Sequence, residues 1–108
     1  MAPVTFTDSH CHLDFNELST QGTQLLTQCF QAGIKRIIVP AVSPENWQSV
    51  LDLSLLSENN PNAPTIFAGL GIHPWYLQGL TFQDLDNLAS TIYQNRSQIV
   101  AIGETGID

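Results

Sequence analysis

Basic side chains are scarce in this sequence. Only Lys35, Arg36 and Arg96 oppose ten acidic residues, which gives a formal net charge of -7 over 108 residues. A protein that holds nucleic acid mainly by pairing with phosphates needs many more lysine and arginine side chains. The sequence therefore argues against a strong electrostatic nucleic-acid surface, and any anionic substrate needs another source of positive charge.

Cysteine and long apolar runs are also rare. The two cysteines, Cys11 and Cys29, are too few for a disulfide framework and form no Cys-x-x-Cys pair. No apolar stretch approaches the length of a membrane span, and the first ten residues, MAPVTFTDSH, lack a basic segment followed by an apolar one. We therefore expect a cytoplasmic protein with reduced thiols and no membrane partner.

Short apolar runs alternate with segments of helical periodicity along the chain, which predicts four strands with three helices between them. Near-continuous apolar strands joined by helices indicate an α/β fold with a parallel sheet buried on both faces. The predicted strands are residues 4–7, 36–39, 65–70 and 99–102. The predicted helical stripes are Leu18, Leu25, Leu26, Cys29 and Phe30; Trp47, Val50, Leu51 and Leu55; and Leu85, Leu88, Ala89 and Ile92.

Local signals mark the ends of these helices. Gly33 is placed to stop the first helix, because glycine readily adopts the left-handed conformation that ends a helix. Ser43 and Pro44 supply an N-cap and a first-turn proline for the second. Thr81, with Asp84 three residues on, caps the third.

The unusual polar motifs follow the predicted strands. DSHCH comes after the first strand, PAVSPEN after the second, GIHPW after the third and GETGID after the fourth. The carboxyl ends of parallel strands share one edge of the sheet, and that edge carries the active site in barrels and open sheets alike. We therefore expect the four motifs to meet at a single site.

The first motif has half of a metal site. Side chains alternate in an extended segment, so His10 and His12 project together while Cys11, for which a zinc-ligand role is conceivable, points away. Neutral imidazoles suit Zn²⁺ or Mn²⁺, and the flanking Asp8 and Asp14, which orient the rings or add oxygen ligands, extend the choice to Mg²⁺. The alternative is a pair of ordinary loop histidines.

Two further candidates lie on later motifs. Glu104 reaches the same edge in a glycine-flanked turn, as a metal ligand or as a solvated or capping carboxylate. His73 has two interpretations. In the functional one it contacts a substrate oxygen, acts as an acid or base, or is an outer metal ligand. In the other it is a loop histidine stacked beside an aromatic ring. Trp75 and Tyr76 line a pocket or pack in the core, and Asp108 supports the ligands or frays as the last residue.

Taken together and in order, DSHCHLDF, VPAV, GLGIHPW and AIGETGID resemble the TatD family of metal-dependent hydrolases, from residue 7 to the end of the chain. Many binuclear amidohydrolases also carry HxH but bridge their metals with a carboxylated lysine on the fourth strand. This chain has Glu104 there and no lysine after Lys35. The resemblance is therefore to TatD rather than to those relatives.

The resemblance implies a TIM-barrel-type (β/α)8 fold and a divalent-metal-dependent deoxyribonuclease that cleaves phosphodiester bonds. By this likeness His10 and His12 are metal ligands, Glu104 is a catalytic glutamate that bridges two ions (Mg²⁺, Mn²⁺ or Zn²⁺), and His73 lies near the substrate, which is DNA or another phosphoester. A complete barrel needs about 250 residues. Residues 1–108 are accordingly expected to form the N-terminal half of one domain, inactive alone and short of ligands from a second half.

Two other readings stay open. A half barrel exposes two sheet edges and an apolar face, which predicts self-association. The chain is then a non-catalytic binding or self-assembling α/β module. Alternatively it belongs to an amidohydrolase that acts on a cyclic amide or lactone, because half a site does not choose the scissile bond.

Overall fold

A computed structural model describes residues 3–15 and 20–106. Four strands alternate with three helices in the predicted order, and a short 3₁₀ turn that the sequence analysis did not predict follows the third strand. The elements are β1 (Phe6–Asp8), α1 (Gly22–Gln31), β2 (Ile34–Pro40), α2 (Pro44–Glu58), β3 (Thr65–Leu70), the 3₁₀ turn (Pro74–Tyr76), α3 (Phe82–Gln94) and β4 (Ile99–Ile102). None of the helices in these ranges is long and apolar enough to cross a lipid bilayer.

The four strands form one parallel sheet in the order β1-β2-β3-β4. Each strand therefore pairs with the next strand of the chain, and a helix makes each crossover. A doubly wound sheet reverses its strand order at a switch point, whereas a barrel adds its strands in sequence. The order is that of a barrel wall, and it places the loops after all four strands at the same edge.

One face of the two central strands carries the core. Alternate residues of β2 and β3 are buried, as the two-residue period of a strand requires. The buried strand residues pack with side chains from the first loop, α1 and α2. This core consists of Leu13, Leu26, Ile37, Val39, Ala41, Trp47, Val50, Leu51, Ala63, Ile66, Ala68, Leu70 and Ile72.

The predicted stripe of α2 is wrong at one position. Trp47, Val50 and Leu51 are buried, but Leu55 is 42 % exposed and Ser54 is buried in its place. A helix turns about 100° per residue, so position 54 lies closer to the direction of Trp47 than position 55 does. Ser54 tolerates burial because its hydroxyl donates to the carbonyl of Leu51 at 2.7 Å.

The expectation of burial on both faces is wrong for the outer strands β1 and β4, and the predicted stripe of α3 is only partly buried. Val100 is 52 % and Ile102 67 % exposed. Leu88 and Ile92 pack against the core, but Leu85 and Ala89 are exposed. The period of an apolar stripe identifies which side of a helix is apolar, but not whether another element covers it. The apolar side of α3 and the outer strand β4 therefore form an uncovered surface.

The predicted helix ends agree with the structure where it describes them. Gly33 follows α1 with φ +100°, a conformation that favours glycine. Ser43 precedes α2 and Pro44 is its first residue. Thr81 caps α3 by accepting from the backbone N–H of Asp84. Leu18 and Asp108, which the sequence analysis placed in the first helix and beside the site, lie outside the described residues.

Candidate metal centre

The loop after β1 brings two imidazoles together. Strand β1 ends at Asp8, and His10 and His12 lie in the loop that follows it. The Asp8 carboxylate accepts from the backbone N–H of His10 at 3.1 Å, and the Cys11 N–H donates to the carbonyl of Ile38 at 3.1 Å. These bonds keep the segment alongside β2, and the Nε2 atoms of His10 and His12 lie 3.2 Å apart.

The loop after β4 carries Glu104 to the same place. The backbone N–H of Gly103 donates to the carbonyl of Leu70 at 2.9 Å, which ties the loop to the end of β3. A Cβ atom at Gly71 would lie 2.7 Å from the carbonyl carbon of Gly103. Only glycine at position 71 permits this approach, and Trp47 fixes the position by donating from Nε1 to the Gly71 carbonyl at 2.9 Å.

The carboxylate of Glu104 meets both first-loop imidazoles. Its Oε1 lies 2.9 Å from Nε2 of His10 and 3.3 Å from Nε2 of His12. The candidate ligand atoms of the three residues all lie within 4.8 Å of one another. Neighbouring ligands in an octahedral or tetrahedral centre with bonds of about 2.1 Å lie about 3.0 to 3.4 Å apart. The three side chains therefore have the spacing and the donor types that a divalent cation requires.

His73 approaches the other oxygen of Glu104. Its Nδ1 accepts from the backbone N–H of Trp75 at 3.1 Å, and its own backbone N–H donates to the carbonyl of Val42 at 2.8 Å. Because Nδ1 is an acceptor, the neutral ring carries its proton on Nε2. Nε2 lies 3.5 Å from Oε2 of Glu104. His73 thus presents a donor to the cluster, whereas His10 and His12 crowd around Oε1.

Three of these four side chains, those of His10, His73 and Glu104, line a recess of about 370 Å³ on the side of the sheet opposite the core. Its floor includes Ile38, Pro40 and Gly69, which alternate along β2 and β3 with the core residues Ile37, Val39 and Ala68. The lining residues are Ser9, His10, Ile38, Pro40, Gly69, His73, Ala101, Gly103, Glu104 and Thr105. The recess is large enough for a small part of a substrate beside the cluster.

Among the described residues, neither flanking aspartate is hydrogen-bonded to an imidazole. Asp8 accepts from a backbone N–H, and Asp14 accepts from Nδ2 of Asn46 at 2.6 Å. His12 Nδ1 and Asp14 Oδ1 are buried without a hydrogen-bond partner. Sequence reasoning missed Asn46 altogether, and its place in the first turn of α2, three residues after the cap Ser43, was the available signal.

Cys11 takes no part in the cluster. It is partly buried and packs against the hydrophobic core, as expected for a side chain that points away from the imidazoles. Burial raises the pKa of its thiol above the ordinary value of 9.0, and the negative charge of Asp8 raises it further. The thiol is therefore neutral near pH 7 and behaves as a small apolar side chain.

All three basic side chains are engaged elsewhere. Lys35 donates to the carbonyl of Phe30, Arg36 to the hydroxyl of Thr7 and Arg96 to the carbonyl of Tyr93. No lysine or arginine lines the recess. Positive charge for an anionic substrate at this edge must therefore come from a bound cation or a protonated histidine.

Comparison with known proteins identifies the sequence family. The family model described as TatD related DNase matches residues 7–108. An uncharacterized metal-dependent hydrolase of Escherichia coli, YjjV, is 36 % identical over 103 residues, which cover 95 % of this chain and 38 % of that protein. A putative deoxyribonuclease of Danio rerio, tatdn3, is 31 % identical over 108 residues, which cover 95 % of this chain and 39 % of that protein.

Solved structures agree on the fold. The crystal structure of YjjV, a TatD homologue, superposes with a TM-score of 0.79 at 37 % identity, over 95 % of this chain and 38 % of that chain. The structure of a TatD-family hydrolase from Entamoeba histolytica superposes with a TM-score of 0.77 at 20 % identity, over 97 % and 38 %. The expected TIM-barrel-type fold is confirmed, with four strands and three helices present. The chain spans about two fifths of the length of these relatives.

Proposed function

The chain belongs to the TatD-related DNase family, and we propose that the native protein that carries it is a divalent-metal-dependent hydrolase of phosphodiester bonds in DNA. The observation that supports this most is the meeting of His10, His12 and Glu104 at ligand spacing. The names of the relatives, metal-dependent hydrolase and deoxyribonuclease, point to the same chemistry.

We also propose that residues 1–108 are the N-terminal half of a single barrel domain. The family model matches as far as residue 108, and the sheet contains four of the eight strands of a barrel in sequential order. In this proposal the second half supplies the remaining ligands, and this chain alone does not turn over substrate.

In the proposed site each side chain has a separate task. His10, His12 and Glu104 would hold a divalent cation, and nitrogen donors favour Mn²⁺ or Zn²⁺ over Mg²⁺. A bound cation of this kind lowers the pKa of a coordinated water and neutralises charge on the attacked phosphoryl oxygen. Oε2 of Glu104 faces His73 instead, and Glu104 would be the residue shared with a second cation. The Nε2–H of His73 is oriented to donate to a substrate oxygen.

The charge of the chain constrains how DNA is held. With a net charge of -7 and no basic side chain in the recess, phosphate contacts depend on the cations and His73 rather than on lysine or arginine. Contact of DNA phosphates with these loops should therefore require the metal, and removal of the metal should weaken DNA binding by the native protein and abolish cleavage.

The test is an assay of the native protein on a DNA oligonucleotide, a cyclic amide and a lactone, each with Mn²⁺ and after chelation. We expect Mn²⁺-dependent cleavage of the oligonucleotide only. Hydrolysis of the cyclic amide or lactone instead would establish the amidohydrolase alternative and overturn the nuclease proposal. A matched pair of variants, Glu104→Gln in the cluster and Glu58→Gln on the exposed end of α2, separates loss of the site from loss of one negative charge.

Self-association of the isolated chain is the second candidate property, and the exposed outer strands β1 and β4 support it. Unpaired strand edges are templates for pairing with another chain. The cytoplasmic location expected from the sequence stays a prediction, which fractionation of the source cells would check.

A further inference from the structure

The amide of Asn46 has one orientation that satisfies its neighbours. Its Oδ1 accepts from the backbone N–H groups of Val42 at 2.9 Å and Ser43 at 3.1 Å. Both neighbours are donors, so the oxygen must face them, and Nδ2 must face the carboxylate of Asp14, which it contacts at 2.6 Å. The short distance is typical of a hydrogen bond to a charged acceptor. Asn46 is thus a fixed bridge rather than a mobile surface amide.

This bridge joins three of the four loops at the site. Asp14 lies in the loop after β1, Asn46 lies in the first turn of α2 after β2, and the carbonyl of Val42 accepts the backbone N–H of His73 at 2.8 Å. A continuous path of hydrogen bonds therefore runs from the HxH loop through Asn46 and Val42 to His73.

The path begins at Asp14, which is two residues after the candidate metal ligand His12. The backbone N–H of Phe15 donates to the carbonyl of His12 at 3.1 Å, and Leu13 is buried in the core, so residues 12–15 form one anchored turn. His12 Nδ1 and Asp14 Oδ1 are buried in this turn without partners. If Nε2 of His12 binds a cation, its proton resides on Nδ1, which makes the two unpartnered atoms a complementary donor and acceptor.

We propose that Asp14 and Asn46 are a positioning pair for the metal centre: Asn46 holds the Asp14 carboxylate, which accepts the Nδ1–H of His12, and the same amide ties this turn to the loop of His73. The inference rests on the proposed function in that His12 and Glu104 bind the metal. The pair touches neither the metal nor the substrate, and acts by setting the orientation of residues that do.

Reversing the hydrogen bond tests the pair. In Asn46→Asp a second carboxylate faces Asp14, so the donor is lost and like charges repel. In Asn46→Asp combined with Asp14→Asn the donor and acceptor exchange places and the link is restored. Asn87→Asp on the exposed side of α3 makes the same substitution far from the site. Mn²⁺ affinity of the native protein and these variants is measured by calorimetry, with no substrate present.

We expect Asn46→Asp to weaken Mn²⁺ binding by about tenfold or more, the usual effect of losing a partner of a metal ligand. The double variant should bind Mn²⁺ more tightly than either Asn46→Asp or Asp14→Asn, because the link is restored, and Asn87→Asp should match the wild type. Unchanged affinity in Asn46→Asp, or a double variant as weak as Asn46→Asp, would overturn the pairing. If the wild type binds no Mn²⁺, the metal site and the pair that serves it fall together.

A spectroscopic measurement on the wild type does not depend on how well a variant folds. Long-range ¹⁵N–¹H correlation spectra of the Zn²⁺-loaded native protein report which nitrogen of each imidazole carries the proton. We expect a slowly exchanging, downfield Nδ1 proton for His12 that Asp14→Ala removes. A rapidly exchanging Nδ1 proton in the wild type would show that Asp14 does not accept from His12, with the metal site itself intact.

Discussion

Oε1 of Glu104 lies 2.9 Å from Nε2 of His10, although the two residues stand near opposite ends of the chain. The contact exists because β1 and β4 are parallel strands of one sheet and end at the same edge. Two polar loops that follow these strands can therefore share a ligand.

Glu104→Gln should weaken metal binding strongly while the fold survives. The amide keeps the size of the side chain but loses the charge that faces His10 and His12 at 2.9 and 3.3 Å. We expect Mn²⁺ affinity of the native protein to fall by roughly 10- to 100-fold or more, and cleavage with it. Calorimetry measures the affinity, and Glu58→Gln is the matched control. Wild-type affinity in Glu104→Gln would remove this residue from the ligand set.

Gly71→Ala should disturb the site through the backbone. The added Cβ would lie 2.7 Å from the carbonyl carbon of Gly103, so the loop that carries Glu104 must move. Overpacking of this kind costs about 1 to 3 kcal/mol. Gly69→Ala is the control, since a Cβ there makes only ordinary contacts at 3.6 Å or more. Denaturant unfolding of both variants compares the costs, and equal stability would contradict the close packing of the two loops.

His73→Phe should separate turnover from metal binding. The ring of His73 presents Nε2–H rather than a lone pair, because Nδ1 accepts from Trp75. Loss of a positioned donor typically lowers kcat by about 10²- to 10⁴-fold. We expect that loss with Mn²⁺ affinity within about threefold of the wild type. His73→Gln, which keeps an N–H donor, should retain more activity than His73→Phe. A parallel loss of affinity would instead make His73 a metal ligand.

The regular part of this structure could be predicted from the sequence, and the irregular part could not. Parallel strands and their common edge follow from alternating apolar runs, so His10, His12 and Glu104 could be assigned to one site, whereas the strand order was implied only by the family resemblance. The Asp14–Asn46 bond could not, because it joins residues on different loops whose conformations no periodicity encodes. Leu55 was predicted to be buried but is exposed. The helical period alone does not distinguish an apolar residue beside the buried stripe from one within it.

Cys11 should resist alkylation until the solution is strongly basic. Burial and the negative charge of Asp8 disfavour the thiolate, and this raises the pKa of the Cys11 thiol above 9.0. Unfolding restores the ordinary pKa, so the neutral thiol contributes stability below pH 9.0 that is lost as pH rises through the folded pKa. Iodoacetamide labelling of a Cys29→Ser variant across pH gives the midpoint for Cys11. A midpoint below 9.0 would contradict the buried environment and reopen a metal-ligand role.

The 108-residue chain, made alone, should associate through its uncovered edge. Val100 and Ile102 are more than half exposed on the outer strand β4, whose free backbone groups invite a further strand. Val100→Lys combined with Ile102→Lys puts charge on that strand, and sedimentation velocity should show a shift from oligomer towards monomer. Gln94→Lys with Ser97→Lys adds the same charge at exposed positions outside the strand and should leave the oligomer unchanged. If both double variants dissociate alike, reduction of the net negative charge governs assembly; if the wild-type chain is already monomeric, the edge does not associate.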